Sequence, residues 1–190
     1  VPSALARAGG GLEVAVDQKL DGIRVQVHRS HDQVLVVTRS LDDITARLPE
    51  VVDVARSLPA ARFVLDGEVL ALDQSGRPRP FQETASRTAT GEATGGGHVA
   101  VTPYFFDLLH LDGVDLLDAP AGERAAALDR LVPEPHRVPR LVTADPAAAQ
   151  AFLDHTIGSG HEGVVVKSLT APYDAGRRGA AWVKVKPVHT

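Results

Sequence analysis

At 190 residues, with 44% apolar and 23% charged side chains, the chain has the size and composition of one soluble globular domain. Zero cysteine excludes disulfides, a thiolate zinc site and a thiol nucleophile, and a formal charge of −4 argues against a self-sufficient nucleic-acid clamp. No apolar run approaches the roughly 18 residues of a membrane span and no signal segment opens the chain, so the expected location is cytoplasmic. The chain starts Val-Pro-Ser without methionine and ends just past a strand-like run, and it reads as an excised domain.

Residues 12–38 alternate polar and apolar side chains in strand fashion, with a polar hairpin turn at 30–33 and a return strand at 34–38 that delivers Arg39 to its end. Residues 49–58 predict a helix with Pro49 in its first turn and Val51, Val52, Ala55 and Leu58 inward. Residues 63–72 predict a strand pair interrupted by Asp66-Gly67-Glu68, followed by a turn at 73–76 and a short helix at 81–87. The Gly-rich stretch 90–98 has neither the lysine nor the flanking strand and helix of a phosphate loop, and is expected to be a mobile surface loop. A buried strand over 99–111, a helix over 123–131, a second helix capped by Asp145-Pro146 and ending at Gly158, and strands at 164–166 and 182–185 complete the prediction. Short connections favour hairpins, so the sheets are expected to be largely antiparallel.

Chemistry-bearing residues concentrate unevenly. The four lysines are Lys19, Lys167, Lys184 and Lys186, whereas the 16 arginines are scattered. A chain that uses Arg wherever either cation serves keeps Lys where a primary amine is needed, because guanidinium cannot act as an amine nucleophile. Strand parity puts Asp17, Lys19 and Asp21 on one face, and Trp182, Lys184 and Lys186 on another. Two cations on one face call for an anion, and a phosphate is the natural one. Glu68 and Glu162 each adjoin a glycine at a strand end, where a carboxylate can hold a divalent metal or a ribose hydroxyl. In residues 104–109, parity pairs Tyr104 with Phe106 and Phe105 with Asp107, and spacing does not choose between an aromatic platform and core. The eight histidines have no metal-ligand spacing.

The segment Lys19-Leu20-Asp21-Gly22-Ile23-Arg24 resembles the K-x-D-G-x-R signature of the covalent nucleotidyltransferases. Asp66-Gly67-Glu68, Phe106-Asp107, Glu162-Gly163-Val164-Val165-Val166-Lys167 and Trp182-Val183-Lys184-Val185-Lys186 follow in the order and spacing of the ATP-dependent DNA ligase motifs. Arg39 with Asp43-Ile44-Thr45, and Pro80-Phe81-Gln82, also look like the DNA ligase pattern of bacterial or archaeal type. The resemblance implies an α+β fold of two mainly antiparallel sheets flanked by helices, shared with the catalytic domains of DNA ligases and mRNA-capping enzymes and related to ATP-grasp proteins. Residues 1–190 would then be the adenylation domain, with a DNA-binding domain and an OB-fold domain outside it.

The same resemblance implies a reaction and a set of roles. Lys19 would attack the α-phosphate of ATP and carry AMP, which passes to the 5′-phosphate of nicked double-stranded DNA before phosphodiester formation. An ordinary lysine amine is almost fully protonated at neutral pH, and neighbouring cations favour its neutral form. Lys184 and Lys186 would supply that influence while clamping phosphate. Arg24 and Glu68 would hold the ribose and Phe106 would stack on adenine. Asp17 stands where glutamate is usual and faces the base or the adjacent backbone. Glu162, with Glu68, would hold Mg2+. Arg39, Arg178 and Lys167 would reach the nucleotide or its phosphates. The Arg124-Ala125 pair departs from the two adjacent arginines common in relatives. The fragment is expected to be monomeric, to grip DNA mainly through flanking domains with an OB fold in cis, and to be nucleoid-associated when acting on DNA. An RNA ligase or capping-type guanylyltransferase on the same scaffold, and a catalytically silent nucleotide- or DNA-binding module, are the alternative readings.

Overall fold

The chain opens with a helix that the alternation did not announce, α1 (Pro2–Gly9), which has proline in its first turn and is closed by Gly10 in the left-handed region at φ 55. The alternating run then breaks into β1 (Val14–Lys19), β2 (Ile23–Ser30) and β3 (Gln33–Thr38). The break falls at Asp21-Gly22, where the backbone passes so close to Val69 that a Cβ on Gly22 would collide with its carbonyl oxygen. Asp21 is therefore an exposed residue beyond the end of β1 rather than a third member of its face. The β2–β3 hairpin is as expected.

Helix α2 (Pro49–Ser57) buries Val51 and Ala55, with Leu58 buried at its end, while Val52 is only half-buried. The expected strand pair at 63–72 is a single strand, β4 (Arg62–Leu70). Its Asp66-Gly67-Glu68 segment does not interrupt it. The irregularity is absorbed by register shifts against the neighbouring strand. Helix α3 (Phe81–Ala89) follows, then β5 (Thr102–Leu111), the Asp112-Gly113 turn and the short β6 (Val114–Asp115). Next come α4 (Ala121–Leu131), the unexpected β7 (Arg140–Thr143), α5 (Pro146–Gly158), β8 (Gly163–Ser168) and β9 (Trp182–Val185). Asp145 caps α5 as expected, accepting from the Ala147 amide at 3.0 Å. The computed structural model describes residues 1–89, 99–173 and 181–187, so the expected loop at 90–98 lies outside the described residues.

The chain divides into two units. The first comprises Val1–Leu20, Leu117–Glu123 and Val138–Thr190, and holds an antiparallel sheet of order β7-β1-β8-β9. Strand β1 is interior to that sheet, which rules out an exposed strand edge for Lys19. Opposed residues of antiparallel strands share a face. Val14, Val16, Val164 and Val166 pack against Ala4 and Leu5 of α1 and Ala149 and Leu153 of α5, forming this unit's core. Registers Asp17↔Val165, Lys19↔Gly163, Ala15↔Lys167, Lys167↔Trp182 and Val165↔Lys184 put Asp17, Lys19, Lys167, Trp182 and Lys184 on the other face. The apolar demand of one face thus leaves Asp17, Lys19, Lys167 and Lys184 to the opposite one, while Gln18 and Ser168 stay on the apolar side.

The second unit comprises Asp21–Leu116 and Arg124–Arg137, with an antiparallel sheet of order β3-β2-β4-β5-β6. Val25, Val27, Val36, Leu65, Val69, Phe105 and Leu108 are buried with Val51 and Ala55 of α2 and Ala127, Leu128 and Leu131 of α4. Full burial of such a side chain contributes about 1.5–3 kcal/mol. The opposite face pairs Arg24 with Glu68 and Gln26 with Asp66. Among the described residues no helix is long and apolar enough to cross a membrane.

Candidate active site

In the first unit, Lys19 ends β1 and its ammonium donates to Glu162 Oε2, 143 residues away in sequence. Glu162 immediately precedes β8. Its neighbour Gly163 must lack a side chain, because a Cβ there would collide with the Val185 carbonyl of β9. That close approach brings Lys186 to 3.4 Å from Glu162 Oε1, so one carboxylate faces two cations. Burial pushes the Glu162 carboxyl up, but the hydrogen bonds and charges of Lys19 and Lys186 outweigh it and hold the group below the ordinary glutamate value. Lys184 is exposed, opposite Val165.

Lys167 has a different setting. Its Nζ lies 2.7 Å from Asp17 Oδ2, and the residues are 7% and 3% exposed. The same ammonium is 4.3 Å from the centroid of the Trp182 ring, and Tyr173 packs edge-on against that ring at 6.2 Å. The register explains this arrangement, since Lys167 lies directly between Ala15 on β1 and Trp182 on β9. Asp17 Oδ1 is buried and has no hydrogen-bond partner. A buried carboxylate oxygen in this state is an acceptor ready for an N–H donor, such as the exocyclic amine of a purine.

In the second unit, Arg24 makes two hydrogen bonds to Asp66, at 3.1 and 2.7 Å, and its guanidinium carbon is 5.3 Å from the centroid of the Phe106 ring. Asp66 is fully buried; the sequence reading placed it in the Asp66-Gly67-Glu68 motif without a role, although it stands two residues from Glu68 and on the same strand face. Glu68 is the register partner of Arg24. Phe105 and Asp107 are buried while Tyr104 and Phe106 are half-buried, so the expected parity holds and burial assigns Phe105 to the core. Asp66 pairs with Asp107 and Gly67 with Phe105, so the register against β4 shifts by one residue at Phe106. Gly67 tolerates the irregularity because a Cβ would lie 2.6 Å from the Tyr104 carbonyl oxygen. Arg39 is exposed just past β3. Arg178 lies outside the described residues.

Sequence reading missed two ionic anchors, one buried and one half-buried. Arg124 is 1% exposed and contacts Asp107 at 2.9 and 3.3 Å. A signal existed, since Arg124 precedes Ala127, Leu128 and Leu131 at helical spacing and so belongs to the apolar stripe of α4. Arg87 of α3 makes a bidentate pair with Glu50 of α2 at 2.6 and 2.7 Å and also donates to the Val99 carbonyl. Among the described residues no group of three or more His, Asp or Glu side chains could hold a metal ion. A divalent ion here would therefore take one or two carboxylates and fill its shell with water and phosphate oxygens, the usual coordination of Mg2+.

Residues 3–186 match the family model described as ATP dependent DNA ligase domain. A protein of Nocardioides sp. named probable DNA ligase is 72% identical over 188 residues, covering 99% of this chain and 36% of the relative. A probable DNA ligase of Kineococcus radiotolerans is 66% identical, covering 98% of the chain and again 36% of the relative. The chain thus spans about a third of the length of these relatives. Among solved structures, mycobacterial DNA ligase D complexed with ATP and MES superposes with a TM-score of 0.71 at 31% identity, covering 92% of this chain and 54% of that one.

Proposed function

Because this chain belongs to the ATP-dependent DNA ligase domain family, we propose that it carries out the nucleotidyl transfer of a DNA ligase. Lys19 Nζ attacks the α-phosphorus of ATP, a P–N bond forms as the bond to pyrophosphate breaks, and AMP is held as a phosphoramide. AMP then passes to the 5′-phosphate of nicked duplex DNA, with Lys19 as the leaving amine. Attack by the 3′-hydroxyl then expels AMP and closes the phosphodiester bond. The observation that carries the reading is the setting of Lys19. It ends an interior strand, is hydrogen-bonded to Glu162, and shares its sheet face with Lys184 and the buried Asp17–Lys167 pair.

Each other residue has a role that follows from its surroundings. Lys184 and Lys186 meet the triphosphate, and exposure leaves both ammonium groups accessible to it. Attack requires the neutral amine, so Lys19 must leave its contact with Glu162, and Lys186 is placed to keep that carboxylate compensated. Asp17 accepts from the adenine amine through Oδ1, and Lys167 holds its carboxyl group in place. Arg24, anchored by Asp66, and Glu68 take the ribose, while the Phe106 ring lies against the base. Arg39 and Arg178 reach phosphates. Glu162 and Glu68 would hold Mg2+, whose charge would neutralise phosphate oxygens as the bond to pyrophosphate breaks. The protein acts as a monomer in the cytoplasm and at the nucleoid, with an OB-fold domain in cis completing the pyrophosphate site.

Intact mass measured after incubation with ATP and Mg2+ tests the reading. An acid-labile AMP adduct is expected, absent in Lys19→Ala. Absence of the adduct even with pyrophosphate removed and an OB-fold domain supplied would overturn it.

A further inference from the structure

The histidines of this chain have no metal-ligand spacing, yet strand pairing in the second unit sets two of them in one row of its sheet. His28 of β2 is the register partner of Val64 on β4, and Val64 is the partner of His110 on β5. Opposed residues share a face, so the two imidazoles stand on either side of Val64, with Leu35 of β3 completing the row beside His28. Both rings are tethered. His28 Nε2 lies 3.3 Å from Gln26 Oε1, and the Gly113 amide donates to His110 Nε2 at 3.2 Å. These side chains border a cavity of about 340 Å³ on the second unit, large enough for a small organic ligand. The row lies four residues along β2 from Arg24, about 13 Å, so the cavity is separate from the ribose site assigned to Arg24 and Glu68.

The row offers a slot to a planar aromatic ring. Strands lie about 4.8 Å apart, so His28 and His110, with one strand between them, are about 10 Å apart at the backbone. A ring over Val64, midway between them, would lie about 5 Å from each imidazole, within the roughly 4.5–7 Å of aromatic pairs. Val64 and Leu35 give it an apolar floor, and Leu35 is 40% exposed, a large apolar side chain left to solvent. One row further on, about 7 Å along the strands, Ser30 stands between Gln33 and Arg62. Arg62 is exposed, whereas the other arginine at the cavity, Arg29, is committed to the carbonyls of His31, Ala55 and Leu58. Among the described residues no acidic side chain lines the cavity. Asp112 Oδ1 accepts from the Arg62 backbone amide at 3.1 Å, and Asp115 stands on β6, beyond His110.

We propose that this cavity is a second nucleotide site, taking the base of a free purine mononucleotide between His28 and His110 and its phosphate at Arg62, Ser30 and Gln33. A guanidinium with a hydroxyl and an amide beside it suits a phosphate, and a ribose spans the step from one row to the next. Two flanking rings favour a purine, which offers the larger aromatic surface. The imidazole pair is not a metal site, since among the described residues no group of three His, Asp or Glu side chains could hold an ion. AMP is the natural occupant, because the proposed reaction releases it as the nick closes. The site itself stands on geometry and not on the ligase reading.

The test uses the full-length protein, incubated with ATP and Mg2+ and then desalted so that its own adduct blocks the Lys19 site. AMP, adenosine and ribose 5-phosphate are titrated into it by calorimetry, and 8-azido-AMP is photo-crosslinked and mapped by peptide mass. Saturable AMP binding, crosslinks on the β2, β4 or β5 peptides that border the cavity, and no binding of ribose 5-phosphate are expected. Adenosine should bind about tenfold more weakly than AMP, and Arg62→Ala should erase that difference. Val64→Trp, which fills the slot, should abolish binding of both while keeping the parent's adduct yield and thermal midpoint. AMP binding that survives Val64→Trp overturns the proposal, as does a preference for AMP over adenosine unchanged by Arg62→Ala, or crosslinks confined to the first unit. If Val64→Trp melts lower, the Arg62→Ala comparison and the crosslinks decide. Displacement of AMP by a lower concentration of single-stranded oligonucleotide assigns the site to a DNA strand and overturns the free nucleotide. If the parent forms no adduct, the ligase reading fails, while AMP binding that is lost in Val64→Trp still supports the site.

Discussion

A single carboxylate facing two ammonium groups makes Glu162 sensitive to any loss of its charge. Glu162→Gln keeps the shape and removes the charge that organises Lys19 and Lys186. The rate of AMP adduct formation is expected to fall on the order of 10²-fold, measured by quenched-flow intact mass. The pH dependence has a definite sign. Glu50 is raised by burial, but the Arg87 hydrogen bonds, the backbone amides of Glu50 and Val101 and the Arg87 charge together outweigh it, so it titrates below the ordinary value, as does Glu162. Carboxylates lowered in the folded state add stability that is present above the unfolded glutamate value of about 4.3 and is lost as pH falls through the lower folded values. Thermal midpoints are therefore expected to drop below about pH 4.3, with a shallower acid limb in Glu50→Gln. Were Glu50→Gln to show the parent's slope, the Arg87 pair would contribute nothing to acid lability.

Strands and helices carry these residues into place through contacts that tolerate little change. Arg124 of α4 neutralises the buried Asp107 of β5, so Arg124→Ala leaves a buried charge without its counter-ion and is expected to lower stability by about 3–5 kcal/mol in urea unfolding. The double variant with Asp107→Ala should lose less than the two single losses combined. Gly163→Ala is expected to push β9 from β8, because the new Cβ would meet the Val185 carbonyl, and to reduce the AMP adduct together with the melting temperature. A normal adduct yield in Gly163→Ala would mean that the position of Lys186 is immaterial. At this scale the sequence was readable where a pattern is local. The β2–β3 hairpin, α2 and the Asp145 cap followed from alternation, proline placement and capping chemistry. The short β7 escaped because Arg140–Thr143 is too brief to show a period. Strand β4 was divided in error because Asp66-Gly67-Glu68 looks like a turn, yet its glycine admits the close approach of β5.

Across the molecule, residues that are remote in sequence are assembled unit by unit. Lys19, Glu162, Lys167 and Lys184 come from three separate segments of the first unit, and Arg24, Asp66 and Phe106 from three strands of the second. With a net charge of −4, this chain is expected to form the AMP adduct yet seal nicked DNA slowly, and to lose duplex binding steeply as salt rises. A gel assay of nick sealing at graded salt checks this. The family, the antiparallel sheets and the identity of the amine-bearing residues were present in the sequence, because motif chemistry and strand periodicity are written in neighbouring residues. Partners were not. That Lys167 turns to Asp17 and Trp182, that Arg124 neutralises Asp107, and that Phe106 lies against Arg24 while Phe105 enters the core depend on strand register and on which sheet face is buried. Register is set by pairing between distant segments and by the burial of one sheet face, and no local spacing contains it.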